Sequence, residues 1–176
     1  MRSLLFLFII AFAQGIAPYA HAEFIGNAFG GEPENATRAA ASRVFQAYQI
    51  FYSGMSSLEQ RNVDQAQGRF REALSLFQQG KADYERAANL LAGRPFNLAK
   101  LEATQQQILL QFLGPFGANP TSDQASILKA YAVSFERTSS LISGDPKLSL
   151  VRFREIQAFI GRQILVGTLI SQIMQT

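Results

Sequence analysis

Apolar residues return at every third or fourth position through most of this chain. Val44, Tyr48, Phe51, Met55 and Leu58 step by fours and threes, the repeat of one helix face. Gly54 and Ser56-Ser57 predict a bend or a break in that helix, and Ser56-x-x-Glu59 has the spacing of a capping box for a restart. Phe70, Leu74, Phe77, Tyr84, Ala88 and Leu91 make the clearest seam, with Lys81 in its missing step. Gly93-Arg94-Pro95 ends it, because glycine suits a helix C-terminus and proline cannot continue one. Leu98, Leu101, Ile108 and Phe112 mark a shorter third helix, closed by the glycine- and proline-rich residues 114–120. A fourth helix is expected to start at Thr121 or Ser122, to carry Leu128, Tyr131, Phe135 and Leu141/Ile142, and to stop at Gly144. Asp145-Pro146 then supplies an N-cap and a first-turn proline for the last helix, with Leu148, Val151, Phe159, Ile160, Ile164, Gly167, Ile170 and Met174.

No segment alternates as a strand does. The pattern predicts an all-α fold, an up-and-down helical bundle of four to five helices, the count depending on residues 54–63. The last helix is apolar around much of its girth, which predicts a central position. If successive helices reverse direction, the 93–97 and 114–120 loops fall at opposite ends.

Upstream the pattern changes. Residues 23–35 hold three glycines and a proline without a sustained period and read as a flexible tail, with Asn35 or Thr37 as the first N-cap of a bundle domain over 36–176. Residues 1–22 read as a signal peptide. Met1-Arg2 gives a positive start, residues 4–12 are an apolar run, Gly15 and Pro18 break it, and Ala20-His21-Ala22 is a small-x-small cleavage pattern. Cleavage after Ala22 takes 22 residues from 176 and leaves 154, a one-domain length. A periplasmic or secreted location follows. A retained segment would instead be an anchor. No membrane span is expected after cleavage, because residues 164–170 are far shorter than the ~20 that a bilayer core requires.

Composition then narrows the chemistry. The chain has no cysteine, and its single histidine, His21, leaves with the signal. Without them there is no thiol chemistry, lipid-bearing cysteine, Glu-x-x-His di-iron site, attached haem or histidine-based serine triad. Neither cofactor nor metal is expected. The charge is mild: loss of Arg2 leaves 15 basic against 13 acidic groups. The short pairs Arg69/Arg71 and Arg152/Arg154 have Glu72 and Glu155 beside them, which predicts local ion pairs and no nucleic-acid partner. Ser126-Ile-Leu-Lys129 has the Ser-x-x-Lys spacing of penicillin-interacting serine enzymes, but Ser-Asp-Asn and Lys-Thr-Gly are missing. Asp83 with Glu85, and Glu32 with Glu34, match no calcium loop. The expectation is a protein that is not an enzyme.

Gly68-x-Phe70-x-x-Ala73-x-x-x-Phe77-x-x-Gly80 resembles the second helix of a tetratricopeptide repeat. The likeness covers 13 residues, has glycine where alanine is usual at the end, and has no second copy 34 residues on. It implies a peptide-binding module as one alternative.

The remaining resource is aromatic surface, with Phe24, Phe29, Phe96 and Phe116 in the tail or loops. The expected role is binding or envelope accessory work through a protein partner or self-association, with Phe96, Phe116 and Arg94 as contact residues. The alternative is a carrier of a small apolar ligand in an inter-helix pocket lined by Tyr48, Phe51, Tyr84 and Tyr131.

Overall fold

A computed structural model describes residues 31–143 and 149–174. Five α-helices and no strand occur among them: α1 (Glu32–Glu59), α2 (Val63–Asn89), α3 (Ala103–Leu113), α4 (Gln124–Ser143) and α5 (Leu150–Met174). The signal, most of the tail with Phe24 and Phe29, and the Asp145-Pro146 cap lie outside the described residues. Four helices are long and alternate in direction, and short α3 sits between α2 and α4 in sequence. The all-α up-and-down bundle is therefore what the chain forms.

α1 and α2 make the closest pair, and small residues permit it. Ala40, Ala41, Val44 and Ala47 of α1, with Ala66, Ala73, Ala87 and Ala88 of α2, are buried. A Cβ on Gly80 would collide with the Cγ2 of Val44 and come within 3.4 Å of the Val44 backbone nitrogen. Arg43 ties the pair together through Asp83 at 2.8 Å, with Arg86 at 3.7 Å from the other carboxylate oxygen. The tetratricopeptide-like residues serve this packing: Phe70, Ala73, Phe77 and Gly80 are buried, while Gly68 is exposed.

Several boundaries differ from the sequence reading. α3 starts only at Ala103, with Leu98 in a separate 3-10 turn (Leu98–Lys100) and Leu101 extended between them, and α5 starts at Leu150. α1 starts at Glu32, so residues 32–35 are helical; Thr37 is no cap, and its hydroxyl donates back to the Pro33 carbonyl at 2.7 Å. α1 also runs unbroken through Gly54. That glycine makes room for the Phe70 ring, whose Cε1 would lie 2.7 Å from a Cβ there. The break falls instead at residues 60–62, where Arg61 takes a left-handed φ of 63° and the Asn62 side chain accepts from the Gln65 amide. α4 starts at Gln124, because Asn119 takes up the residues before it. The Asn119 side chain accepts from the Thr121 amide at 2.9 Å, and its carbonyl accepts from the Ser122 amide.

α5 is the last piece of the core. Phe153 near its start stacks on Phe70 at 4.1 Å and touches Phe51, and Arg154 reaches Glu59 at 3.6 Å. Ile156, Ile160, Ile164, Val166, Leu169, Ile170 and Ile173 are buried, while Val151 and Leu165 are exposed. By length and composition α5 is also apolar enough to cross a membrane, with 56% of its most apolar window buried in the bundle.

Candidate functional site

Two places gather the residues singled out from sequence. One is the middle of the core. Tyr48, Phe51, Tyr84 and Tyr131 are all buried, at 1% exposure or less. Tyr84 meets Tyr131 edge-on at 5.3 Å and stacks on Phe135 at 5.7 Å, and Tyr48 meets Phe77 edge-on. Phe51 belongs to a different layer, against Phe70 and Phe153. The four proposed lining residues are thus divided between two packed aromatic layers, and ring contacts fill the space around the tyrosines.

A buried amide organises the tyrosine layer. Gln163 on α5 is 0% exposed. Its Oε1 accepts from the Tyr48 hydroxyl of α1 at 3.2 Å and from the Thr138 hydroxyl of α4 at 3.1 Å. Its Nε2 donates to Ser134 Oγ at 2.6 Å, and its backbone carbonyl accepts from the Tyr131 hydroxyl at 3.1 Å. Three helices therefore meet on one side chain. Burial pushes the Tyr48, Tyr84 and Tyr131 phenols well above their ordinary value of 10.0, so all three stay neutral in the folded core. The Tyr84 hydroxyl has no hydrogen-bond partner among the described residues.

The second place is one end of the bundle, where the start of α4 meets the residues just beyond α2. The Gln124 amide donates to the Arg94 carbonyl at 2.9 Å, and Gln124 Nε2 donates to the Pro95 carbonyl at 3.1 Å. The Gly93 amide donates to Asp123 Oδ2 at 3.1 Å. Because α3 is only 11 residues long, it does not carry the chain to the far end. The segment after α3 comes back to the residues just beyond α2. Gly93, at φ 76°, supplies the turn. Arg94 is exposed, Phe96 is almost fully buried, and Phe116 is half-buried against Phe112 at 5.9 Å. The end of α5 arrives here too, where Lys100 Nζ donates to the Ile173 carbonyl at 3.3 Å.

Asp123 is the clamp. Its Oδ1 accepts from the Ser126 amide at 2.8 Å, capping α4, while Oδ2 holds Gly93. Hydrogen bonds from the Ser126 side chain and amide, then from the Gly93 amide, hold its carboxyl below the ordinary 3.8, with Lys129 adding to the effect. Ser126 and Lys129 are both exposed, and Ser126 serves as the cap's donor.

The other titratable candidates are spent in ion pairs. Asp83 holds Arg43, Glu85 holds Lys81, Glu72 holds Arg69 and Glu155 holds Arg152. No group of three or more metal-ligating side chains forms among the described residues. No family model, curated protein or solved structure matches this chain.

Two tests follow. Gln163→Leu removes the amide acceptor of the Tyr48 hydroxyl and the amide donor to Ser134 and is expected to cost about 2–4 kcal/mol of unfolding free energy in urea. Adding Tyr48→Phe should recover part of that loss, whereas Tyr84→Phe alone should cost nothing. Asp123→Ala is expected to cost about 1 kcal/mol at neutral pH. The folded carboxyl lies below its unfolded value, so its contribution is complete above the ordinary 3.8 and lost as pH falls through the folded value. The thermal midpoints of wild type and variant should therefore converge in acid.

Proposed function

We propose that this chain is an exported, non-catalytic helical bundle that acts by binding a protein partner or a second copy of itself. The contact surface is centred on Arg94, with Phe116 half-buried and Phe96 almost fully buried. The observation that supports this reading most is the clamp between residues 93–95 and 123–124. Three hydrogen bonds hold the two segments in one arrangement, with the Arg94 side chain exposed beside them. A preformed surface loses little conformational entropy on binding. Arginine at such a place offers a charge and a planar donor fork.

A second reading, a carrier for a small apolar ligand, rests on the three tyrosines that meet in the core. The ring contacts around them favour the first reading, since a carrier of this kind requires space between the helices. A tetratricopeptide-like peptide-binding role draws on one half-motif, and its residues are used in packing α2 on α1.

The purified chain, studied by native mass spectrometry and sedimentation with an envelope fraction of its host, tests the choice. The expected outcome is a complex or self-associated species that Arg94→Glu weakens by about tenfold or more. Arg162→Glu, on exposed α5 surface, should leave it unchanged. Association indifferent to Arg94 contradicts the assigned surface. A retained lipid-sized adduct favours the carrier.

A further inference from the structure

A shallow cleft of about 220 Å³ lies between α2 and α4, lined by Gln78, Lys81, Glu136 and Ser139. Its lining residues neighbour Phe77, Phe135 and Thr138 of the tyrosine layer along their helices. Ser139 is 9% exposed, and its hydroxyl oxygen has no hydrogen-bond partner among the described residues. A buried hydroxyl in that state carries an uncompensated desolvation cost that a ligand would relieve.

The walls carry opposite charges that do not meet. Lys81 Nζ lies 3.1 Å from Glu85 Oε1, one turn along its own helix. That pair uses one of three ammonium protons. Glu136, on the facing helix, enters no ion pair among the described residues. An anion placed here meets repulsion from Glu136, and a cation meets repulsion from Lys81. A molecule bearing both charges is attracted by both walls. The volume corresponds to roughly seven waters, enough for a molecule of amino-acid size.

We propose that the α2/α4 cleft binds a small zwitterion. Its carboxylate lies on Lys81 and Gln78, its ammonium on Glu136, and the Ser139 hydroxyl hydrogen-bonds it at the floor. The surface is open, so the affinity is modest and depends on salt.

Titration of the full chain with L-glutamine, followed by amide NMR shifts, tests this. Saturable shifts are expected at Gln78, Lys81, Glu136 and Ser139, with a Kd of about 1 mM. Acetate and methylammonium, each carrying half of the charge pattern, should bind at least about tenfold more weakly at matched ionic strength. Ser139→Ala should keep the thermal midpoint, since that hydroxyl has no partner to lose, yet weaken glutamine by about fivefold. Glu136→Gln should abolish the preference for glutamine over acetate. The proposal is overturned by absent saturation at about 50 mM, by acetate matching glutamine, or by a Glu136→Gln variant that binds as wild type does.

Discussion

Gln163 is the constraint on which the middle of this bundle depends. A primary amide cannot be buried cheaply in an apolar helix unless other chains of atoms come to satisfy it. Here α1 brings the Tyr48 hydroxyl, and α4 brings Thr138 and Ser134. Each partner fixes the rotation and height of its helix relative to α5. Apolar contacts alone tolerate sliding, whereas this set of hydrogen bonds is satisfied in one register. The aromatic layers on either side, Tyr84 with Phe135 and Phe70 with Phe153, follow from that register.

A core filled in this manner shifts the question of function outward. The tyrosines that attracted attention as pocket lining spend their faces on one another, and two of their three hydroxyls on Gln163. Surface features are left: the clamped loop end with Arg94, and the charged cleft between α2 and α4. They differ in kind. The first is a preformed shape whose backbone is already hydrogen-bonded, suited to a large partner. The second offers opposed charges and an unpartnered hydroxyl, suited to a small one.

Much of the fold was legible because helical periodicity records which face is buried. The seam Phe70, Phe77, Tyr84, Ala88 and Leu91 is buried as its spacing implied, with Leu74 of the same seam half-buried, while the expected stop at Gly144 lies outside the described residues. Boundaries were less legible where a residue had two uses. Gly54 looked like a helix breaker, yet it is an accommodation for the Phe70 ring, a partner distant in sequence. Thr121 and Ser122 do not start α4, because Asn119 holds them in a turn and Asp123 supplies the cap. The meeting of residues 93–95 with 123–124 was not legible because direction was counted per helix, and an 11-residue helix does not traverse the bundle. Gln163 carried almost no signal: beside Arg162, it read as the polar edge of an apolar stretch. Its role depends on Tyr48, more than a hundred residues away. In the same way Lys81 filled a step in a heptad seam, and only the placement of α4 sets Glu136 and Ser139 across from it.

The central claim, that the core is sealed around Gln163 and function belongs to the surface, is tested most directly by hydrogen exchange of the Gln163 side-chain amide. Protons held by Ser134 inside a closed core should exchange only through global unfolding, as slowly as the most protected backbone amides. Exchange orders of magnitude faster, through local opening, would mean that solvent reaches the tyrosine layer in the folded protein. That result would contradict the sealed core and return the carrier reading to first place.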